Sequence, residues 1–262
     1  MSFGERIAIK SRREMEQMRE IGRHTAEILL ELRERATPGR TTAELDEIAA
    51  RALEKRGLKS PFLGYAPGGV APYPAVLCAS VNDQIVHGIP GPRELREGDI
   101  LSLDFGVESG GWHGDSAVTI AIGPITLEAE RLIETTRDAL LKGIEQMVPG
   151  RRLSDIGYAV QCRAEGAGFG VVRQFVGHGI GREMHEPPQV PNYGRPGRGP
   201  RLRAGMVLAI EPMVNVGNER VRILDDEWTA VTADGSLSAH FEHTVLITED
   251  GPEILTRIEG SH

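Results

Sequence analysis

Two aspartates open the functional reading of this chain. Asp104 lies in Leu103-Asp104-Phe105 and Asp115 in His113-Gly114-Asp115, and Glu108-Ser109-Gly110-Gly111 between them reads as a hairpin turn. A turn centred on Ser109 and Gly110 sets Asp104 directly opposite Asp115, with Cβ atoms about 4.5–5.5 Å apart on one face. Facing carboxylates repel, and a hairpin has no structural use for that; a dication between them turns repulsion into chelation. Glu211 closes the apolar run Met206-Val207-Leu208-Ala209-Ile210, and Glu242 stands at the head of Thr244-Val245-Leu246-Ile247. Carboxylates in such company are costly to bury unless paired or bound to metal. His178 sits in Gly177-His178-Gly179-Ile180-Gly181, where glycines allow close backbone approach. Each residue alone is as well explained as a satisfied core group. Together, four carboxylates and one imidazole form an oxygen-rich set that suits two Mn, Fe or Co ions better than a closed thiolate zinc site. Two ions about 3.5–4 Å apart can share a water and make it nucleophilic near neutral pH, so the expected chemistry is hydrolysis.

These donors need a scaffold. Apolar residues Met18, Ile21, Thr25, Ile28, Leu29 and Leu32 recur at helical spacing, predicting a helix from about Arg12 to Arg33. Thr41 and Glu44 fit a capping box that opens a second helix, with Leu45, Ile48, Ala49, Ala52 and Leu53 as its stripe and Gly57 as its end. The arrangement returns as a helix from about Leu127 to Met147 and a shorter one from about Ser154 to Glu165. Pro38-Gly39-Arg40 between the first two helices recurs as Pro149-Gly150-Arg151 between the second two. This is a weak internal duplication and hints at two similar halves, approximately 12–125 and 126–250. AVLCASV, DILSLDFGV, HGDSAVTIAIG, GMVLAIEPMV and SLSAHFEHTVLIT have strand composition. Helices and antiparallel strands are grouped rather than alternating, which points to an α+β fold. No low-complexity linker divides the chain, so a single domain over residues 1–262 is expected.

Composition narrows the function classes. The net charge is −8, which argues against nucleic acid, and DNA in particular, as the main partner. The local exception, RPGRGPRLR from Arg195 to Arg203, reads either as a solvated loop or as a contact to ribosomal RNA. Cys78 and Cys162 are expected as free thiols of a reducing compartment. With no signal-like N-terminus and no apolar run of about 18 residues, the expected location is cytoplasmic, without membrane.

The runs His87-Gly88-Ile89-Pro90, Leu103-Asp104-Phe105, His113-Gly114-Asp115, Gly177-His178-Gly179-Ile180-Gly181 with His185-Glu186, Ile210-Glu211-Pro212-Met213 and Phe241-Glu242-His243-Thr244 resemble type I methionine aminopeptidases. They come in the family's order over nearly the whole chain. The resemblance implies the pseudo-two-fold "pita-bread" (creatinase/aminopeptidase) fold, an antiparallel sheet backed by two helix pairs. It implies removal of the initiator methionine from nascent proteins when the second residue is small, with a metal-bridging water as nucleophile. Asp104, Asp115, His178, Glu211 and Glu242 would then hold two divalent ions (Co, Mn, Fe or Zn), Asp115 and Glu242 bridging, with Glu211 also the general base. His87 and His185 would be catalytic without ligating metal, contacting the substrate near the scissile amide. His24, His113, His240, His243 and His262 are expected as surface groups or groups packed behind the donors.

By the same resemblance Phe62, Tyr65, Tyr73, Cys78, Met184 and Trp228 would line the methionine pocket. Phe62 stands where the family often has cysteine, and Met184 where phenylalanine is usual. The interval between Glu211 and Glu242 is too short for the helical insertion of type II members, so the short bacterial-like form is expected, as a monomer acting on nascent N-termini. Proline-specific peptidases share the fold and the ligand set but normally carry a large N-terminal domain. A binding protein that kept the fold would lose ligands, and all five are present here.

Overall fold

A computed structural model describes residues 7–257 of the chain; His262 lies outside them. The first half supplies helices α1 (Arg12–Arg35) and α2 (Thr42–Arg56), then strands β1 (Cys78–Val81), β2 (Gln84–Val86), β3 (Ile100–Ser109) and β4 (Trp112–Ala121). The second supplies α3 (Leu127–Ile144) and α4 (Leu153–Gly166), then β5 (Gly170–Val171), β6 (Gly177–Gly179), β7 (Glu186–Val190), β8 (Val207–Ile210) and β9 (Met213–Asn215). β10 (Val221–Ile223), β11 (Ala230–Thr232), β12 (Ser238–His240), β13 (Glu242–Thr248) and β14 (Gly251–Ile254) complete it. The expected α+β arrangement is what forms.

The helices start where the chain offers local partners for free amides. At α2 the Thr41 amide donates to Glu44 Oε2 and the Glu44 amide to Thr41 Oγ1, a reciprocal capping box. Gly57 ends α2 in the left-handed region at φ 66°, where a Cβ would be strained. The predicted apolar face of α1 is buried from Met18 to Leu32 and packs on β3 and β4. Gly114 permits this approach, since a Cβ there would lie 2.8 Å from Thr25 Oγ1.

The principal sheet is antiparallel in the order β1-β3-β4-β13-β8-β6-β7, with β14 also paired to β13. Outward from the central β4–β13 pair, β3 and β1 follow on one side, and β8 and β6 on the other. Two small sheets, β10-β11-β2 and β12-β9-β5, flank it. The runs GMVLAIEPMV and SLSAHFEHTVLIT are not continuous strands. Each breaks and changes sheet, the first between β8 and β9 at Glu211-Pro212, the second between β12 and β13 at Phe241. Pro212 has no amide to extend the ladder, which accounts for the first break. Among the described residues, no helix is long and apolar enough to cross a membrane.

The hairpin register differs from the expected one. Asp104 pairs with Ala117 and Asp115 with Gly106, so the aspartates are diagonal rather than directly opposite. The turn residues are Gly110 and Gly111, at φ 59° and 75°. A two-residue turn with positive φ at both centres suits two glycines, whereas the expected alignment would put Ser109 in that region. The shift keeps both aspartates on one face.

Candidate metal centre and pocket

The pairing of strands carries all five predicted donors to one face of the principal sheet. Cys78, Asp104, Ala117 and Glu242 form one cross-strand row over β1, β3, β4 and β13. In the neighbouring row Asp115 lies beside Thr244, whose hydroxyl accepts the Asp115 amide and donates to its carbonyl. Thr244 pairs with Ala209 and Ala209 with His178. Residues two apart on a strand share a face, so the rows present their side chains together. Glu211 follows the last residue of β8, at the point where the chain leaves the sheet.

Burial makes this convergence costly. Asp104, Asp115, His178 and Glu242 are each at most 9% exposed, and Asp104 Oδ1, Asp115 Oδ1 and Glu242 Oε1 have no hydrogen-bond partner. Burial, and after it the Asp115 charge, raises Asp104 well above the ordinary carboxylate range. Burial lifts Asp115 to about 7. Glu211 and Glu242 rise for the same first reason, with the aspartates adding to it. Burial, then His185, depresses His178 to about 3, so its imidazole is neutral. Its Nδ1 donates to Gly179 O at 3.0 Å, which leaves Nε2 as a lone-pair donor, 3.5 Å from Glu211 Oε1. One ligand atom from each of Asp115, His178 and Glu242 lies within 4.8 Å of the others. Orphaned buried carboxylate oxygens beside a neutral imidazole fit a divalent cation.

A cavity of about 220 Å³ opens on these donors. Its lining includes all five, both predicted non-ligand histidines and all six predicted pocket residues, together with Pro67, which was not predicted. Tyr73 packs edge-on to Trp228, with ring centroids 5.1 Å apart, and to Phe62 at 6.5 Å. The Trp228 indole donates to Ala71 O at 2.8 Å and so holds the Ala66–Pro72 loop against the pocket. Cys78 is held as a thiol by burial and by Asp104, so it serves as apolar lining rather than as a thiolate.

The sequence matches Metallopeptidase family M24 over residues 16–249. It is 53% identical to a methionine aminopeptidase of Clostridium perfringens, over 97% of this chain and 100% of that one. The chain belongs to the methionine aminopeptidases of family M24. The crystal structure of a methionine aminopeptidase from Thermotoga maritima superposes with a TM-score of 0.92 at 46% identity, covering 97% of this chain and 100% of that chain. A prolidase from Pyrococcus horikoshii shares the pita-bread fold, with a TM-score of 0.74 at 22% identity, over 96% of this chain and 64% of that one. The protein is thus a metal-dependent aminopeptidase.

Two further histidines of this aminopeptidase line the cavity beside the donors. The His185 ring lies 4.4 Å from that of His178, and its Nδ1 is 2.9 Å from the Tyr65 hydroxyl. His87 adopts φ 60°, a strained backbone conformation for a residue with a Cβ, and packs against Phe175 and Trp228. The remaining described histidines separate. His24 is partly exposed beside Glu27, His113 Nδ1 meets Gly181 O, and His243 points away from the site to Thr256. His240 takes the second of the two expected roles, packed behind the donors: it is 1% exposed, with Nε2 3.8 Å from Glu211 Oε2. Glu211 therefore lies between two imidazoles.

The metal-free aminopeptidase should show the strain of this site as a pH effect. The raised pKa of Asp115 means that the native state keeps a proton which the unfolded chain releases from about pH 4 upward. The associated stability is complete below that pH and is lost as pH rises through about 7. Buried neutral histidines titrate with the opposite sign, and those away from the site, such as His243, cancel in the difference between variant and wild type. In excess chelator, Asp115→Asn should gain on wild type by on the order of 1–3 kcal/mol between pH 4 and 7. Denaturant unfolding of both proteins measures it, and a constant difference would mean that Asp115 ionises normally.

Proposed function

We propose that this chain removes the N-terminal methionine from nascent proteins and peptides whose second residue is small. The observation that carries this reading is one cavity in which five donors, four of them buried, adjoin an apolar, aromatic-lined pocket. Asp104, Asp115, His178, Glu211 and Glu242 would hold two divalent ions, with Asp115 and Glu242 shared between them. Their oxygen-rich set accepts Mn, Fe, Co or Zn. A pair of such ions, when bound, makes water nucleophilic near neutral pH. Glu211, at the edge of the donor set, would accept the proton of the attacking water as general base. His87, depressed to about 4 by burial, and His185, lowered from its ordinary value by partial desolvation, would each donate one N–H toward the carbonyl oxygen of the scissile amide. Phe62, Tyr65, Tyr73, Cys78, Met184 and Trp228 receive the thioether side chain.

Donors come from both halves of the chain, Asp104 and Asp115 from the first and the other three from the second. This supports a single catalytic domain, with halves of approximately 12–125 and 126–250 that are incomplete apart. We place it in the cytoplasm, as a monomer.

A site crowded beneath the scissile bond excludes bulky second residues from the reactive geometry. Met-Ala-Ser should be cleaved at least about tenfold faster than Met-Leu-Ser, and chelator should abolish both reactions. Equal rates, or a preference for Ala-Pro peptides, would reject the reading.

Met184 is 8% exposed and flexible, so it defines the pocket wall less sharply than an aromatic ring would. Met184→Phe should raise the preference for methionine over norleucine by less than about 1–3 kcal/mol. An unmoved ratio of kcat/KM values would remove Met184 from the recognition surface.

Ribosome attachment rests on the basic loop. Arg195, Arg198, Arg201 and Arg203 are exposed. Backbone bonds between residues 150–154 and 198–202 bring Arg151 and Arg152 beside them. Replacing the four loop arginines with serine should lower ribosome co-sedimentation and flatten its salt dependence by a log–log slope of up to about 3 to 4, leaving tripeptide turnover intact. Unchanged co-sedimentation would make this a solvated loop only.

A further inference from the structure

We infer that Lys10 and Glu186 are positioning residues, whose buried ion pair fixes the loop carrying Met184 and His185. This rests on the reading of those two residues as substrate contacts. The loop runs from β6 to β7, and Glu186, first residue of β7, turns its carboxylate back into it. Glu186 Oε1 accepts the amides of Arg182 at 2.6 Å and Glu183 at 3.3 Å. The other oxygen, Oε2, accepts Lys10 Nζ at 2.6 Å. The two side chains are only 5% and 12% exposed. Lys10 is itself anchored, its amide donating to Gly205 O at 2.8 Å. A Cβ on Gly181 would lie 2.6 Å from Lys10 Cε and 2.7 Å from Glu186 Oε1, so glycine there leaves the space in which the pair meets.

The loop's other backbone fastenings hold its beginning, while the Arg182 guanidinium stacks on Trp112 and the His185 ring bonds the Tyr65 hydroxyl. Ile180 donates to Val207 O, and Gly181 O accepts from His113. Glu186 supplies the side-chain acceptor for the consecutive amides of Arg182 and Glu183, the two residues before Met184, and Lys10 neutralises it. A buried carboxylate deprived of its cation is strongly destabilised and tends to rearrange toward water. The loop would follow, taking His185 out of line with the substrate. Neither Lys10 nor Glu186 lines the cavity, so they act through the loop rather than on the reacting atoms.

The test uses Mn-loaded enzyme and Met-Ala-Ser, with amide hydrogen exchange as a second readout. Lys10→Met and Glu186→Gln should each lower kcat about tenfold or more, with a smaller change in KM and unchanged stabilisation by Mn. The double variant should lose no more than the worse single, because one interaction has been removed twice. Lys10→Arg, which keeps the charge, should restore most of kcat. Exchange at the Arg182 and Glu183 amides should quicken in both single variants while that of β3 and β4 stays slow. Wild-type kcat in folded Lys10→Met, multiplying losses in the double variant, or unchanged loop exchange would each overturn the inference. Failure of wild type to cleave the peptide would instead reject the substrate reading, and loop exchange would then decide alone whether the pair holds the loop.

Discussion

Asp104, Asp115, Glu211 and Glu242 crowd one cavity at a single sheet face, and their mutual repulsion is the constraint around which the molecule is arranged. Apolar packing cannot relieve it, since burial raises all four carboxylates and leaves three oxygens without partners. The opposite face of β3 and β4 is closed by α1, so the sheet cannot flex to separate the charges cheaply. Protons relieve the repulsion in the metal-free protein, and divalent cations held by these residues would relieve it better. Because the donors come from distant parts of the sequence, the same cations would also tie those parts together.

Much of this was legible in the sequence because it depends on local periodicity. Capping residues Thr41 and Glu44 and the spacing of Met18 to Leu32 are local signals, and the helices begin within a residue or so of the predicted positions. Strand alternation was enough to place Asp104 and Asp115 on one face, because a two-residue shift in register preserves the face. The register itself was misjudged. It turns on whether Ser109 or Gly111 takes a positive φ, and glycine accepts that conformation at no steric cost, so the Gly110-Gly111 pair carried the signal for the observed turn. The sheet changes at Pro212 and Phe241 separate expected strands whose composition is alike on both sides; Pro212 is the local signal for the first, and no turn residue marks the second. The Lys10–Glu186 pair joins positions far apart in sequence, beyond the reach of any local pattern.

The pocket beside the donors is walled by apolar and aromatic side chains, and this matters to both binding and chemistry. Phe62 and Met184 are both apolar and each is 8% exposed. The wall therefore keeps its low polarity. Low polarity strengthens every charge interaction at the adjoining centre and holds Cys78 protonated, so it does not compete with the carboxylates for metal. Burial likewise keeps His178, His87 and His240 neutral. Selectivity for the side chain and activation of water thus share one physical cause.

Thermal unfolding of wild type and Asp104→Asn, first in excess chelator and then with added Mn or Co, tests the convergence of donors most directly. Asn removes one charge with little change in volume, so without metal the variant should unfold at the temperature of wild type or above it. With metal the order should reverse: wild type gains on the order of 3 kcal/mol at a hundredfold excess over Kd, and the variant loses most of that gain. If Asp104→Asn is clearly less stable than wild type in chelator, or if metal stabilises both proteins equally, the buried carboxylates do not form a common cation site.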